Sequence, residues 1–184
     1  MLKSSVETPI RKICRSFFAV VWIVAATHAA ASPAVVVDLL FNSFDLVCVD
    51  SDGQVQYTET VDGERFDGIG RATLTTDLIF IEAPATFEGV RLAALAALCE
   101  PFGIVPEELT ASALNDYVAT IPATDWRTYD VIVADLMNGA QMSIVDKGPF
   151  WIIYPVSDHS ELASSRYNER MVWQLRSLEF RSKR

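Results

Sequence analysis

Hydrolysis by a serine or cysteine nucleophile needs a base beside it, and this chain has few bases to offer. Its two histidines are His28 and His159. The second lies in Asp158-His159-Ser160-Glu161, an acidic stretch that reads as a solvated loop, where histidine is more often a surface group than a catalyst. No G-x-S-x-G occurs, and Gly68-Ile69-Gly70 lacks the third glycine and the strand-to-helix setting of a dinucleotide-binding turn. Carboxylates are plentiful but single, with Asp116 in a turn and Asp146 at a hairpin end. A glycosidase pair is defined by a separation that sequence does not give. The three cysteines are too few for a multi-cysteine zinc site or a disulfide-dense scaffold. Cys48 in Leu-Val-Cys-Val-Asp and Cys99 at the end of an Ala/Leu run both have apolar neighbours, where a thiol serves as a small inert core residue. In an oxidising compartment they could instead close one loop of about 50 residues. Neither has a cation next to it in sequence to lower its pKa.

Composition removes whole classes. The chain has 184 residues, 51% hydrophobic, 21% charged and 10% aromatic, a globular profile that excludes disordered, collagen-like and coiled-coil proteins. With 15 basic and 24 acidic residues the formal charge is −9, which argues against a nucleic-acid partner, because phosphate affinity comes from clustered Lys and Arg. The start reads as an export signal. Lys3, Arg11, Lys12 and Arg15 precede an apolar run at residues 17–26, and the small residues 29–31 come after it. Residues 1–31 are therefore predicted to be a signal peptide and 32–184 a single domain, periplasmic or secreted. The apolar run is far shorter than the about 20 residues of a membrane span. Cleavage would remove four of the 15 basic residues and one of the 24 acids, leaving 11 against 23, or −12. That balance disfavours anionic membrane surfaces.

The elements that must position any site emerge from period and punctuation. Residues 35–40 and 46–49 are β-rich, and Ser51-Asp52-Gly53 turns the chain into an alternating run at 54–60, so 46–60 predicts a hairpin. Residues 74–81 predict a strand closed by Pro84. From Gly89 the period becomes helical through 90–98, ending near Pro101 and Gly103. Residues 109–121 predict two strands around an Asn115-Asp116 turn, and 123–129 a short helix. Asn138-Gly139 between 131–137 and 140–145 is the clearest hairpin, since Asn-Gly supplies positive φ. Residues 150–154 predict a buried strand, 157–169 a loop or short helix, and 172–180 a last strand. Many strands with a few singly inserted helices give an α+β class with mixed β-sheets.

Several phrases, in order, match one family. They are Thr86-Phe87-Glu88-Gly89-Val90-Arg91-Leu92, Ala113-Leu114-Asn115-Asp116-Tyr117 with Ile121-Pro122, Asn138-Gly139, Asp146-Lys147-Gly148-Pro149-Phe150-Trp151-Ile152-Ile153-Tyr154-Pro155, and Arg170-Met171-Val172-Trp173-Gln174-Leu175. Over residues 66–180 the chain resembles the oxidoreductase molybdopterin-binding domain, the sulfite-oxidase-type fold. Within it the likeness is to small exported bacterial proteins of this length. The resemblance implies a cleft approached by Asn115, Asp116 and Tyr117 from a hairpin, by Asp146, Lys147, Gly148 and Pro149 from a loop, and by Tyr154, Arg170 and Trp173 from the C-terminal segment. A blander reading of the same residues makes Gly148-Pro149 a turn, Trp151 and Trp173 core, and Asp146-Lys147 a surface pair.

The resemblance also implies a departure. Catalytic members of the family hold a molybdenum–pterin cofactor through a cysteine thiolate in the loop before the helix that is predicted here to begin at Gly89. The stretch 75–86 contains no cysteine, and a hydroxyl or carboxylate is a poor substitute for a soft thiolate. Cofactor-bearing members are exported folded under a twin-arginine signal, whereas this chain has Arg11-Lys12. Lys147, Arg166, Arg170 and Arg176 are a thin supply of donors for a pterin phosphate. The expectation is thus an exported molybdopterin-binding-like domain without a cofactor or redox-active molybdenum, a small-ligand-binding or sensory accessory module. The alternative is a molybdopterin-dependent oxidoreductase with an unusual metal ligand such as Cys99. A third reading, from another class, is a structural partner of an envelope protein complex.

Overall fold

A period of two in burial decides where the strands lie. The computed structural model describes residues 42–183, so the predicted signal peptide and the β-rich run at 35–40 lie outside the described residues. Strand β1 (Ser43–Val49) buries Phe44, Leu46 and Cys48 on one face. The Asp50 carboxylate accepts the amides of Asp52 and Gln54, both at 2.9 Å, and turns the chain into β2 (Val55–Asp62) as predicted. Asp62 then caps α1 (Gly63–Ile69) by accepting the Arg65 amide at 2.9 Å. The sequence reading missed this helix, which buries only Phe66. Next come β3 (Arg71–Thr76), β4 (Ala85–Arg91) and α2 (Leu92–Ala97), with a 3₁₀ turn after it at Glu100–Phe102. Strands β5 (Glu108–Ala113) and β6 (Val118–Pro122) lead to α3 (Ala123–Thr128). Strands β7 (Ile132–Met137), β8 (Ala140–Gln141) and β9 (Trp151–Ile153) come next. A 3₁₀ turn at Ser160–Leu162, α4 (Ser165–Asn168) and β10 (Leu175–Arg181) complete the order.

The strands form two sheets. One runs β2-β1-β10-β5-β6 and is mixed, because β10 pairs parallel with β1 and antiparallel with β5. The other runs β3-β4-β7-β8, with β9 also on β7, and is antiparallel throughout. The architecture is α+β, as predicted. One hydrophobic core joins Leu46, Leu109 and Phe180 of the first sheet to Phe87, Val133 and Ile152 of the second. Phe44, Phe66 and Phe150 meet edge to face in it, at 5.0–6.0 Å between centroids. No described helix is long and apolar enough to cross a membrane.

Three predicted elements are corrected. The strand expected at 74–81 ends at Thr76. There a side-chain lock replaces pairing: the Ser157 amide donates to Thr76 Oγ1 at 3.1 Å and the Asp77 amide to Ser157 Oγ at 2.9 Å. Residues 77–84 are consequently a loop. The helix expected from Gly89 starts at Leu92, since Gly89 and Val90 pair with both β3 and β7 and Arg91 with β7. Gly89 is required by that pairing, for a Cβ there would overlap the Val133 carbonyl. The last strand begins at Leu175 and not at 172, because Gln174 takes a left-handed φ of 51°. The Asn138-Gly139 hairpin forms as expected, with φ of 53° and 75°, although β8 keeps only two residues.

Candidate functional site

The β5–β6 turn is built by its own side chains. Asn115 Oδ1 accepts the Tyr117 amide at 3.1 Å, and Asp116 sits at a left-handed φ of 64°. This geometry directs Tyr117 across a cleft, where its hydroxyl donates to the Glu169 carbonyl at 2.9 Å. The cleft has a volume of about 380 Å³. Its far wall is Ile79 and Phe80 from the 77–84 loop, and its floor is Met171, Val172 and Trp173. Ser165 at the start of α4, with Asn168 and Glu169 at its end, forms the rim. Phe80 meets Trp173 edge to face at 5.3 Å, and Trp173 in turn meets Trp151 at 6.3 Å. Burial, and then the negative charge of Glu169, push the Tyr117 phenol above its ordinary pKa. Tyr117→Phe is expected to cost about 0.5–1.5 kcal/mol, the net worth of one hydrogen bond, measured by urea unfolding.

A second cleft of about 370 Å³ lies between Ile81, Met137, Met142 and Trp151, with Asp146 and Lys147 on its edge. The Lys147 ammonium stands 5.6 Å from the Trp151 ring. Gly148 and Pro149, joined by a cis peptide, shape this loop. A Cβ at Gly148 would overlap the Met142 carbonyl.

A buried polar cluster lies off the linings of both clefts. Asp125 of α3 is 3% exposed and accepts from Tyr154 Oη at 2.8 Å and from Arg170 Nη1 at 2.7 Å. The Arg170 guanidinium also lies 5.3 Å from the Tyr167 ring. Burial, then the Asp125 charge, push the Tyr154 phenol strongly upward. Nearer the surface, Tyr129 packs edge-on against His159 and Tyr167. Desolvation, then the hydrogen bond and charge of Tyr167 and the charge of Glu161, raise its pKa to about 12. A phenol whose pKa is raised on folding contributes stability that is complete below about pH 10 and is lost as pH climbs toward 12. Ultraviolet titration is expected to give less tyrosinate near pH ~10.5 in the native protein than in urea, with stability falling through the same range.

The predicted site residues thus occupy four places. Asn115, Tyr117 and Trp173 line the first cleft, and Asp146 and Lys147 line the second. Tyr154 and Arg170 are engaged by Asp125. Asp116 is exposed at the turn tip, 3.1 Å from Arg176. Sequence reasoning missed Phe80, which it placed in a strand, and Asp125, whose burial has no local signal. His159 is a surface residue, as expected, with its side chain 41% exposed. Cys48 and Cys99 form a disulfide with 5.6 Å between Cα atoms, both residues fully buried. Among the described residues no group of three or more His, Cys, Asp or Glu could hold a metal ion.

No family model matches the chain, and no curated protein matches it. A solved structure of similar shape is the sulfane dehydrogenase SoxCD from Paracoccus pantotrophus, with a TM-score of 0.53 and 15% identity. The alignment covers 76% of this chain and 38% of that one. The likeness is one of fold. This chain spans well under half the length of the dehydrogenase chain, and the shared part includes an α+β arrangement related to that of an oxidoreductase.

Proposed function

We propose that this chain is an exported small-ligand-binding or sensory accessory module, built on a molybdopterin-binding-like fold and working without redox-active molybdenum. One observation carries the reading. The two sulfurs of Cys48 and Cys99 are bonded to each other inside the core, and neither residue lines either cleft. Cys99, the example of an unusual metal ligand for the oxidoreductase alternative, therefore offers no thiolate. The donor set does not fit a molybdenum–pterin group in other respects. Among the described residues, the first cleft has no Lys or Arg on its lining to receive a phosphate, and the second has only Lys147. The loop at 77–84, where the resemblance would put the metal-binding cysteine, instead supplies Ile79 and Phe80. Export is consistent with the disulfide, since such bonds persist in oxidising compartments.

The test is metal analysis of protein purified from the exported fraction. Molybdenum far below stoichiometry is expected, and about one atom per chain overturns the reading. Envelope proteins recovered with the chain after cross-linking, together with no small-molecule binding, would favour the structural-partner role.

A further inference from the structure

The first cleft has a lining that specifies charge as well as shape. We infer that it takes a flat aromatic molecule carrying a protonated amine and no phosphate or carboxylate, an assignment that rests on the ligand-binding role proposed above. Its volume of about 380 Å³ lies at the small end for ligand sites, enough for a compact ring system and too little for a dinucleotide. Three aromatic side chains from separate segments, Phe80, Tyr117 and Trp173, supply its walls. Aromatic faces attract cations as well as rings. Met171 adds a polarizable, adaptable surface.

The electrostatics point one way. Among the described residues, Glu169 is the only Asp, Glu, Lys or Arg on the lining. The neighbouring cations are engaged elsewhere: Arg170 pairs with Asp125 at 2.7 Å and Arg176 with Asp116 at 3.1 Å. Arg166 of α4 is exposed and off the lining. Glu169 lies on the lining itself, and its charge is one cause of the raised pKa of the Tyr117 phenol. An anionic ligand would enter an apolar pocket beside a carboxylate with no counter-charge, which is costly. An ammonium gains both the carboxylate and the rings. The Asn115 oxygen already accepts the Tyr117 amide, so its NH₂ remains to orient a ligand acceptor.

Calorimetric titration of the full chain with three probes of one shape tests this: 2-naphthylmethylammonium, 2-naphthylmethanol and 2-naphthoate. The ammonium is expected to bind about fivefold more tightly than the alcohol, and the carboxylate most weakly. Glu169 is exposed and holds Tyr117 through its backbone carbonyl, so Glu169→Gln removes the charge and keeps that bond. The variant should bring ammonium and alcohol binding within about twofold of each other. Equal binding of all three probes, or preference for the carboxylate, overturns the charge assignment while leaving the cleft a ligand site. An ammonium preference that survives Glu169→Gln also overturns it. If none of the three binds at millimolar concentration, the ligand-binding role itself fails.

Discussion

A double variant, Cys48→Ala with Cys99→Ala, is expected to lose about 4 kcal/mol of stability. The bridge closes a loop between residues 51 apart in sequence, and cross-linking so distant a pair removes much of the entropy of the unfolded chain. Its position makes the link structural as well. Cys48 belongs to β1 in the first sheet, while Cys99 lies just after α2, which continues directly from β4 of the second. The bond therefore fastens the two sheets where no strand pairing does. Equilibrium unfolding in urea measures the loss. For a domain of this size it corresponds to a fall in Tm of about 8–16 °C. A difference below about 1 kcal/mol between the oxidised parent and the double variant would refute this account.

Arg170→Met is expected to cost about 3–5 kcal/mol, although only a side chain 19% exposed is changed. The cost comes from what is left behind. Asp125, 3% exposed, would be left with the Tyr154 hydroxyl as its only partner in the cluster. Removing one member of a buried pair leaves the other uncompensated, whereas removing both charges does not. Asp125→Asn combined with Arg170→Met should thus recover a large part of the loss, with a coupling energy of about 1–3 kcal/mol in the double-mutant cycle. Strict additivity of the two single changes would contradict it.

Local signals were legible where local forces decide. Ser51-Asp52-Gly53 and Asn138-Gly139 set their hairpins through turn geometry contained within a few residues, and Asn115 holds its turn by accepting the Tyr117 amide. The helix at Ala123–Thr128 and the buried strand at Trp151–Ile153 were equally readable. The Ala/Leu period from Gly89 holds from Leu92 to Ala97 and fails only at its start, where pairing of Gly89 and Val90 on both edges outweighs a preference for helix worth tenths of a kcal/mol per residue. At the site the resemblance suggested a single cleft. The structure distributes those residues between two clefts and a buried ion pair, since burial and partnership are properties of neighbours brought from afar.

Composition and short-range pattern were enough to establish the α+β class, the acidic balance and most turns. Each arises from residue counts or from interactions a few residues long. Folding in three dimensions was needed to join Cys48 to Cys99, to run β1 parallel to β10, and to bring Phe80 against Trp173. Those outcomes depend on distances between segments far apart in the chain. Such distances are set when the core closes, because burying apolar surface fixes which remote residues meet.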